Sequence, residues 1–309
     1  MARVTLREVA EASGVSPSTV SFVLNDTPSQ SISAPTRERV RRVAEELGYI
    51  PHGIAKALAE GSSRIVVLDF GSRPTPGNYA RSFVYGLDAE LAVHGHVLLV
   101  RYGQGSASSD RQVLEAIAPR AIHHFGRPYT DRGHELEDSG GGWRDGLAAH
   151  SALQIGHLAG TGHRHVAFAV PAEDALLTEV RQRFASEIAI TAGLEPLVTL
   201  TVPRDRSAAA EVLRRFVASR PAVTAVATLD DEVALRILAA MHDLGLRAPD
   251  DLAVIGYDET EYAALSTPAL TTVHIDAEAH GRINARVALG LPHDDVEPSP
   301  AYVSVRDSA

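Results

Sequence analysis

The chain has 309 residues, 45% of them apolar and none of them cysteine, and its formal net charge is −10. That length suits two or three domains. The missing cysteines exclude disulfides and thiolate metal sites, and no run of about 18 uninterrupted apolar residues marks a membrane span. The opening MARVTLREVAEASG is charged and lacks the apolar core of a secretory signal, so a cytoplasmic protein is the expectation. The charge is uneven. Residues 1–60 carry seven Lys/Arg against seven Asp/Glu, leaving 22 of the 29 basic and 32 of the 39 acidic residues for 61–309. An acidic body repels nucleic acid. Any contact with DNA therefore falls to the first sixty residues, where Arg37, Arg39, Arg41 and Arg42 cluster. Read alone, those arginines are the solvated face of a helix with glutamate partners.

Between Thr5 and Ala12, the residues Leu6, Val9 and Ala10 fall at helical spacing, and Gly14 stops that helix. In GVSPSTVSFVLN, Ser16 is placed to cap a second helix, and Pro17 takes its first position, where a missing N–H costs nothing. Val20, Val23 and Leu24 form its buried face, which leaves Ser18, Thr19, Ser21, Phe22 and Asn25 pointing away. After DTPSQSIS, Ser33 caps a third helix from about Pro35 to Leu47, with Val40, Val43, Ala44 and Leu47 inward and Gly48 as its stop. Two helices joined by a tight glycine turn, then a third, form the helix-turn-helix pattern. Its second helix enters the DNA major groove, where hydroxyls bond phosphates or base edges. A small three-helix bundle that binds protein is the alternative.

From Arg64 the texture changes. Apolar runs recur as IVVLDF, HVLLVRY, HVAFAV, LVTLTV, AVATL, LAVIGYD, TTVHI and AYVSV. Amphipathic stretches at 81–93, 148–159, 178–192, 208–218, 232–244 and 276–289 separate most of them. Strand alternating with helix predicts parallel sheet covered by helices, and eight to nine strands suit two linked α/β units. Ligands of such sheets bind at the carboxyl ends of strands, which singles out Phe70, Asp230 and Asp258. Residues 103–145 read as loop-rich, with one weak strand at Ala121 to Phe125. There is no phosphate-binding or dinucleotide glycine loop and no nucleophile elbow, so neither an enzyme nor a cofactor is expected. His123 with His124, and His163 with His165, do not share a helix face, so no metal site is expected. Asp230, Asp231 and Glu232 are either an acidic functional cluster or a helix N-terminus that favours acids. Arg181, on its own, is a solvated helical arginine.

VTLREVAEASGVSPSTVSFVLN and TRERVRRVAEELGYIPHGIAKAL together resemble the DNA-binding module and hinge of the lac-repressor (LacI/GalR) family of bacterial transcription regulators. HLAGTGHRHVAFAV, RAPDDLAVIGYDE and STPALTTVHID resemble segments of that family's regulatory core. The resemblance implies an all-α helix-turn-helix headpiece at 1–50, a hinge at 51–61 and a core at 62–309. That core would be two-lobed and α/β, of the periplasmic-binding-protein type I fold. It also implies a homodimer that binds double-stranded DNA at an inverted-repeat operator, probing the major groove with the second helix. Ser16, Pro17, Ser18, Thr19, Ser21, Phe22 and Asn25 match DNA-facing positions, and Thr5, Leu6, Ser33 and Thr36 match phosphate-contacting ones. His52, Ala55, Lys56 and Leu58 fall in the hinge, where Leu58 matches a leucine that wedges a base step. Phe22 departs from the pattern, since many relatives carry arginine there; a phenyl ring suits a thymine methyl rather than a guanine edge. Tyr79, Arg181, Asp230 and Asp258 match positions around a small polar effector, sugar-like or nucleoside-like, that modulates DNA affinity. Asp230 stands where relatives usually show asparagine. Residues 103–145 are shorter than in relatives by about twenty residues and lack the usual Asp-Asn before the helix at Ala148, with Trp143-Arg144-Asp145 nearby instead. A regulator of this fold without an effector and a soluble solute-binding protein are the alternatives.

Overall fold

The computed structural model describes residues 4–24, 31–49, 63–71, 77–103, 107–125, 146–173 and 177–309. The chain divides into two compact units, Met1–Ser63 and Arg64–Ala309. The first holds α1 (Leu6–Ser13), α2 (Pro17–Leu24) and α3 (Ala34–Glu46). Its small core is built from Val9, Ala10, Val20, Val23, Val40, Val43 and Ala44, which sit at the helical spacing that the sequence shows. Leu47 is 40% exposed. Its expected inward place fails because it is the cap residue of α3, just beyond the last regular turn.

The second unit has two parallel sheets. In the first lobe, β1 (Ile65–Asp69), α4 (Asn78–Val93), β2 (Val97–Arg101), α5 (Ala107–Ile117) and β3 (Ala121–His124) give the strand order β2-β1-β3. The second lobe runs α6 (Leu147–Gly160), β4 (Val166–Pro171), α7 (Thr178–Thr191), β5 (Val198–Val202), α8 (Arg206–Ser219), β6 (Ala225–Thr228), α9 (Asp231–Asp243) and β7 (Ala253–Ile255). Its strand order is β5-β4-β6-β7. Both faces of that sheet are covered. Ala167, Ala169, Val226 and Val254 pack with residues of α8 and α9, while Val166, Phe168, Ala227 and Ile255 pack with residues of α6 and α7. Strands buried on both faces read as continuous apolar runs, which is why HVAFAV and AVATL stand out in the sequence.

The chain then returns to the first lobe. After β8 (Thr272–His274), α10 (Ala277–Leu289) places Ala277, Ala285 and Leu289 against Val66, Leu68, Leu87 and Leu91. β9 (Tyr302–Ser304) pairs antiparallel with β8, so AYVSV belongs to a two-stranded ribbon and not to a parallel sheet. The last residues end in the second lobe, where Ser308 Oγ donates to the Val254 carbonyl at 2.6 Å. The stretch 103–145 reads in sequence as loop with one strand, and its described part holds more than that. β3 is present, but α5 was not anticipated. Among the described residues, no helix is long and apolar enough to cross a membrane.

Candidate functional site

The headpiece positions its polar residues by capping. Thr5 and Glu8 form a reciprocal box at the start of α1: the Glu8 N–H donates to Thr5 Oγ1 at 3.3 Å, and the Thr5 N–H donates to Glu8 Oε2 at 2.6 Å. The Thr5 N–H and hydroxyl bonds hold the Glu8 carboxyl below its usual range. Gly14 closes α1 in the left-handed region, at φ 67°, which glycine adopts without steric cost. Ser16 then caps α2, its Oγ accepting from the Thr19 N–H at 3.1 Å and sharing a 2.9 Å hydrogen bond with Thr19 Oγ1. Ser16, Pro17 and Ser18 are exposed, and Thr19, Ser21 and Phe22 are half-buried. Phe22 is not among the side chains that pack on the headpiece core, which are Val4, Leu6, Val15, Leu24, Ile32 and Tyr49. Leu6 is therefore a packing residue first.

Ser33 does not cap α3 as expected. Its hydroxyl bonds the Thr36 hydroxyl at 2.8 Å and makes no bond to the helix N–H groups. Of the four clustered arginines, Arg39 donates from Nε to the Ser13 carbonyl at 3.1 Å, tying α3 to the end of α1. Arg37 Nε donates to the Ile32 carbonyl at 3.3 Å, and Arg42 lies 3.7 Å from Glu46. Arg42 thus meets the expected glutamate, whereas these bonds of Arg37 and Arg39 go to backbone carbonyls instead. Asn25, His52, Ala55, Lys56 and Leu58 lie outside the described residues, as do the rest of the hinge and Trp143, Arg144 and Asp145.

In the core, Arg181, Asp230 and Asp258 come together and Tyr79 borders them. Arg181 is not a solvated arginine: it is 2% exposed. It shares the inner face of α7 with Phe184, Ala185 and Ile188. Its Nη1 donates to the Leu229 carbonyl, its Nη2 donates to Gln154 Oε1 at 2.7 Å, and its guanidinium carbon lies 3.3 Å from the centre of the Tyr257 ring. Gln154 is fixed in turn, donating to the carbonyls of Thr228 and Gly256 at 2.9 Å each. Arg181 Nε is buried with no hydrogen-bond partner. Burial pulls the arginine below its ordinary value, opposed by the charges of Tyr257, Asp258 and Asp230.

Asp258 is buried, with φ 99°, a region that a residue with a side chain rarely enters. It lies where the lobes meet. Asn78, at the start of α4, donates to the carbonyls of Asp258 and Glu259 at 3.0 Å each. The Tyr79 backbone N–H bonds the Asp258 carboxylate, and a Cβ on Gly77 would stand 3.0 Å from its Oδ2. The N-terminus of a first-lobe helix thus receives a second-lobe acid, an arrangement that favours negative charge. Burial and the nearby Asp230 and Asp231 nonetheless push the Asp258 carboxyl well above its usual range.

Asp230 caps α9, accepting from the Val233 N–H at 2.9 Å. Burial, helped by the like charge of Glu232 and opposed by the Val233 N–H bond and by Arg181 and Arg236, pushes its carboxyl up to about 6. The folded value lies above the ordinary one, so unfolding releases a proton between the two. Asp230 therefore costs stability as pH rises through that window, with the full penalty above about pH 6. Asp230→Asn keeps the cap acceptor. It is expected to stabilise the protein by about 1–3 kcal/mol at neutral pH and by nothing near pH 3, where both states are protonated. Urea midpoints at the two pH values check this.

Tyr79 borders this group: its backbone bonds Asp258, and its side chain packs against Tyr257, Val273 and Ile275. Its hydroxyl shares a 3.0 Å hydrogen bond with His280 Nδ1, and its ring packs near Phe83 and Phe125. Aromatic neighbours connect it to the acids: the His280 ring centre is 6.4 Å from that of His150, and the Tyr257 hydroxyl is 3.4 Å from His150 Nδ1. His150, Gln154, Tyr257 and His280 were missed in the sequence. The acidic run opens α9, with Asp230 as its cap and Asp231 wholly buried in its first turn. Among the described residues no group of His, Asp and Glu could hold a metal ion.

Residues 5–52 match the family model described as bacterial regulatory proteins, lacI family, and residues 155–308 match a periplasmic binding protein-like domain. The chain is 27% identical to the HTH-type transcriptional regulator CelR of Thermobifida fusca, over 92% of this chain and 91% of that one. It shares its fold with the lac repressor dimer bound to operator and the anti-inducer ONPF, with a TM-score of 0.77, 20% identity and coverage of 99% of both chains. A CelR–cellobiose complex aligns with a TM-score of 0.63 at 22% identity, over 99% of this chain and 100% of that one. The two models fall in order along the chain, a lacI-family domain of bacterial regulatory proteins at residues 5–52 and a periplasmic binding protein-like domain at 155–308.

Proposed function

We propose that the protein is a cytoplasmic, dimeric, sequence-specific DNA-binding transcriptional regulator, a repressor, with no catalytic role, whose operator affinity responds to a small polar effector. The observation that carries this reading is the capped helix α2, which follows the Gly14 turn and leaves Ser16, Pro17 and Ser18 exposed beside Phe22. On each half of an inverted repeat, α2 enters the major groove, the hydroxyls grip phosphates and Phe22 meets a thymine methyl. Because Phe22 lies outside the headpiece core, its replacement tests base contact rather than folding. Selection of bound duplexes from a random pool should recover an inverted repeat. Phe22→Arg should shift one position in each half-site to guanine, with a discrimination of about 1–3 kcal/mol. A pool that enriches nothing, with or without a metabolite extract, would sink the operator reading.

The effector is assigned to the lobe seam, where Arg181 and Asp258 offer a planar donor fork and an acceptor, and where Asp230 and Tyr79 flank them. The relative CelR is known in complex with cellobiose, which makes oligosaccharides the first compounds to try. An effector acts only if it binds two lobe arrangements unequally. The carboxylate of Asp258 at the start of α4 is the contact that such a ligand would exchange.

A further inference from the structure

The first-lobe sheet has two unlike faces. Val66, Leu68, Leu98 and Val100 point to α4 and α10 and are part of, or packed against, that core. The register puts Val67, Leu99 and Ile122 side by side on the opposite face, followed by Asp69, Arg101 and His124. Leu99 is 39% and Ile122 40% exposed, so α5 does not seal this face. A cavity of about 630 Å3 opens there, its apolar wall made by Val67, Leu114, Pro119 and Ile122. That volume is in the range of small-molecule sites.

The polar end of the cavity is organised. Asp69 Oδ1 accepts from Arg101 Nε at 3.2 Å and from the Gly71 N–H at 3.0 Å. Its Oδ2 accepts from Arg101 Nη2 at 3.4 Å and shares a 3.2 Å hydrogen bond with His124 Nδ1. Both oxygens of Asp69 are therefore occupied, and the acid has little capacity left for a cationic guest. His124 spends Nδ1 on Asp69, which leaves Nε2 as its second polar atom, and Arg111 of α5 brings a guanidinium to the same cavity. Glu115 stands at the solvent-exposed rim. These three strand ends lie where β2 and β3 depart to opposite sides of β1, and crevices at such switch points are where open parallel sheets take ligands.

We infer that this cavity is a second ligand site, separate from the lobe seam, that takes a small organic carboxylate: the anion between Arg111 and His124, the carbon chain on Val67, Leu114, Pro119 and Ile122. The seam residues Arg181, Asp230 and Asp258 take no part in it.

Hexanoate is the probe, with acetate and 1-hexanol as controls that lack the chain or the charge. Calorimetry on the full chain should give saturable hexanoate binding, with both controls weaker by about tenfold or more. Arg111→Ala, a change at an exposed position, should weaken hexanoate by about tenfold, and Ile122→Trp, which fills the cavity, should abolish binding. Arg181→Met should leave hexanoate binding unchanged, so the result stands whether or not the seam binds an effector. The proposal is overturned if neither hexanoate nor octanoate saturates, if 1-hexanol binds as well as hexanoate, or if Arg111→Ala has no effect. Loss of binding in Arg181→Met with a native far-ultraviolet spectrum would move the site to the seam and overturn it equally.

Discussion

Asp231→Ala is expected to lower the stability of the Arg64–Ala309 unit by about 3–5 kcal/mol, read as a fall in the urea midpoint. Asp231 is wholly buried. Its Oδ1 accepts from the Tyr257 N–H at 2.8 Å and the Thr272 hydroxyl at 2.6 Å, and its Oδ2 accepts from the Thr260 N–H at 2.6 Å and the Thr260 hydroxyl at 3.1 Å. Truncation strands all four donors away from water, and a buried polar group without a partner costs about 1–3 kcal/mol. Burial pushes the carboxyl above its usual range, and these same bonds oppose the shift. Asp231→Asn does not rescue, because its amide turns donors toward donors. Gly256 shares the fate of this acid: a Cβ there would lie 2.0 Å from Asp231 Oδ1, so Gly256→Ala should reproduce much of the loss. Since Tyr257 and Thr260 flank Asp258, either change also disorders the seam. A midpoint within about 0.5 kcal/mol of the unaltered protein would refute this account.

Gly281→Val is expected to open the first lobe. A Cβ at Gly281 would meet the Phe83 carbonyl at 2.1 Å and the Leu87 nitrogen at 2.6 Å, and one at Gly86 would meet the Glu278 carbonyl at 1.9 Å. Those obstacles are backbone, so α4 and α10 cannot yield by turning a side chain. Overpacking of this kind costs about 1–3 kcal/mol, and more where backbone must move. The helices are also clamped by Glu90 and Arg286, whose Oε1 and Nε stand 2.5 Å apart, and separation would break that bond. Hydrogen exchange should show faster opening of α4 and α10 while β4–β7 stay protected. Uniform protection across both lobes would count against the close-contact argument.

Much of the fold was legible because its strands are apolar in continuous runs and its helices alternate with them. The misses have separate causes. α5 begins with ASSD, residues that favour turns, after GQGS, and that texture hid Leu114 and Ile117 at helical spacing. Arg181 read as solvated on residue type alone, although Phe184, Ala185 and Ile188 share its face at three, four and seven positions on; the periodicity was present and outweighed by the charge. Gln154 carries the same signal, with Ser151, Ile155 and Leu158 buried beside it. Tyr257 and His280 gave no such sign, because their place at the seam depends on where separate segments meet. Ser33 had the right residue type for a cap, and its bond to Thr36 shows that type alone does not assign the partner.

The return of α10 to the first lobe has a consequence for synthesis. β4 to β7 and their helices are contiguous in the chain, so the second lobe has its sheet and covering helices once about residue 255 has left the ribosome. The first lobe begins earlier but lacks Ala277, Ala285 and Leu289 until α10 emerges. Domains generally fold as units during synthesis, N-terminal first, at about 5–20 residues per second. Here the order of the two lobes is inverted: Val66 and Leu68 of β1 and Leu87 of α4 wait without their α10 partners while the 152 residues between His124 and Ala277 are added. The nascent chain is thus most dependent on chaperones through its earlier half, and a stalled ribosome short of α10 would release a product with one finished lobe and one sticky one.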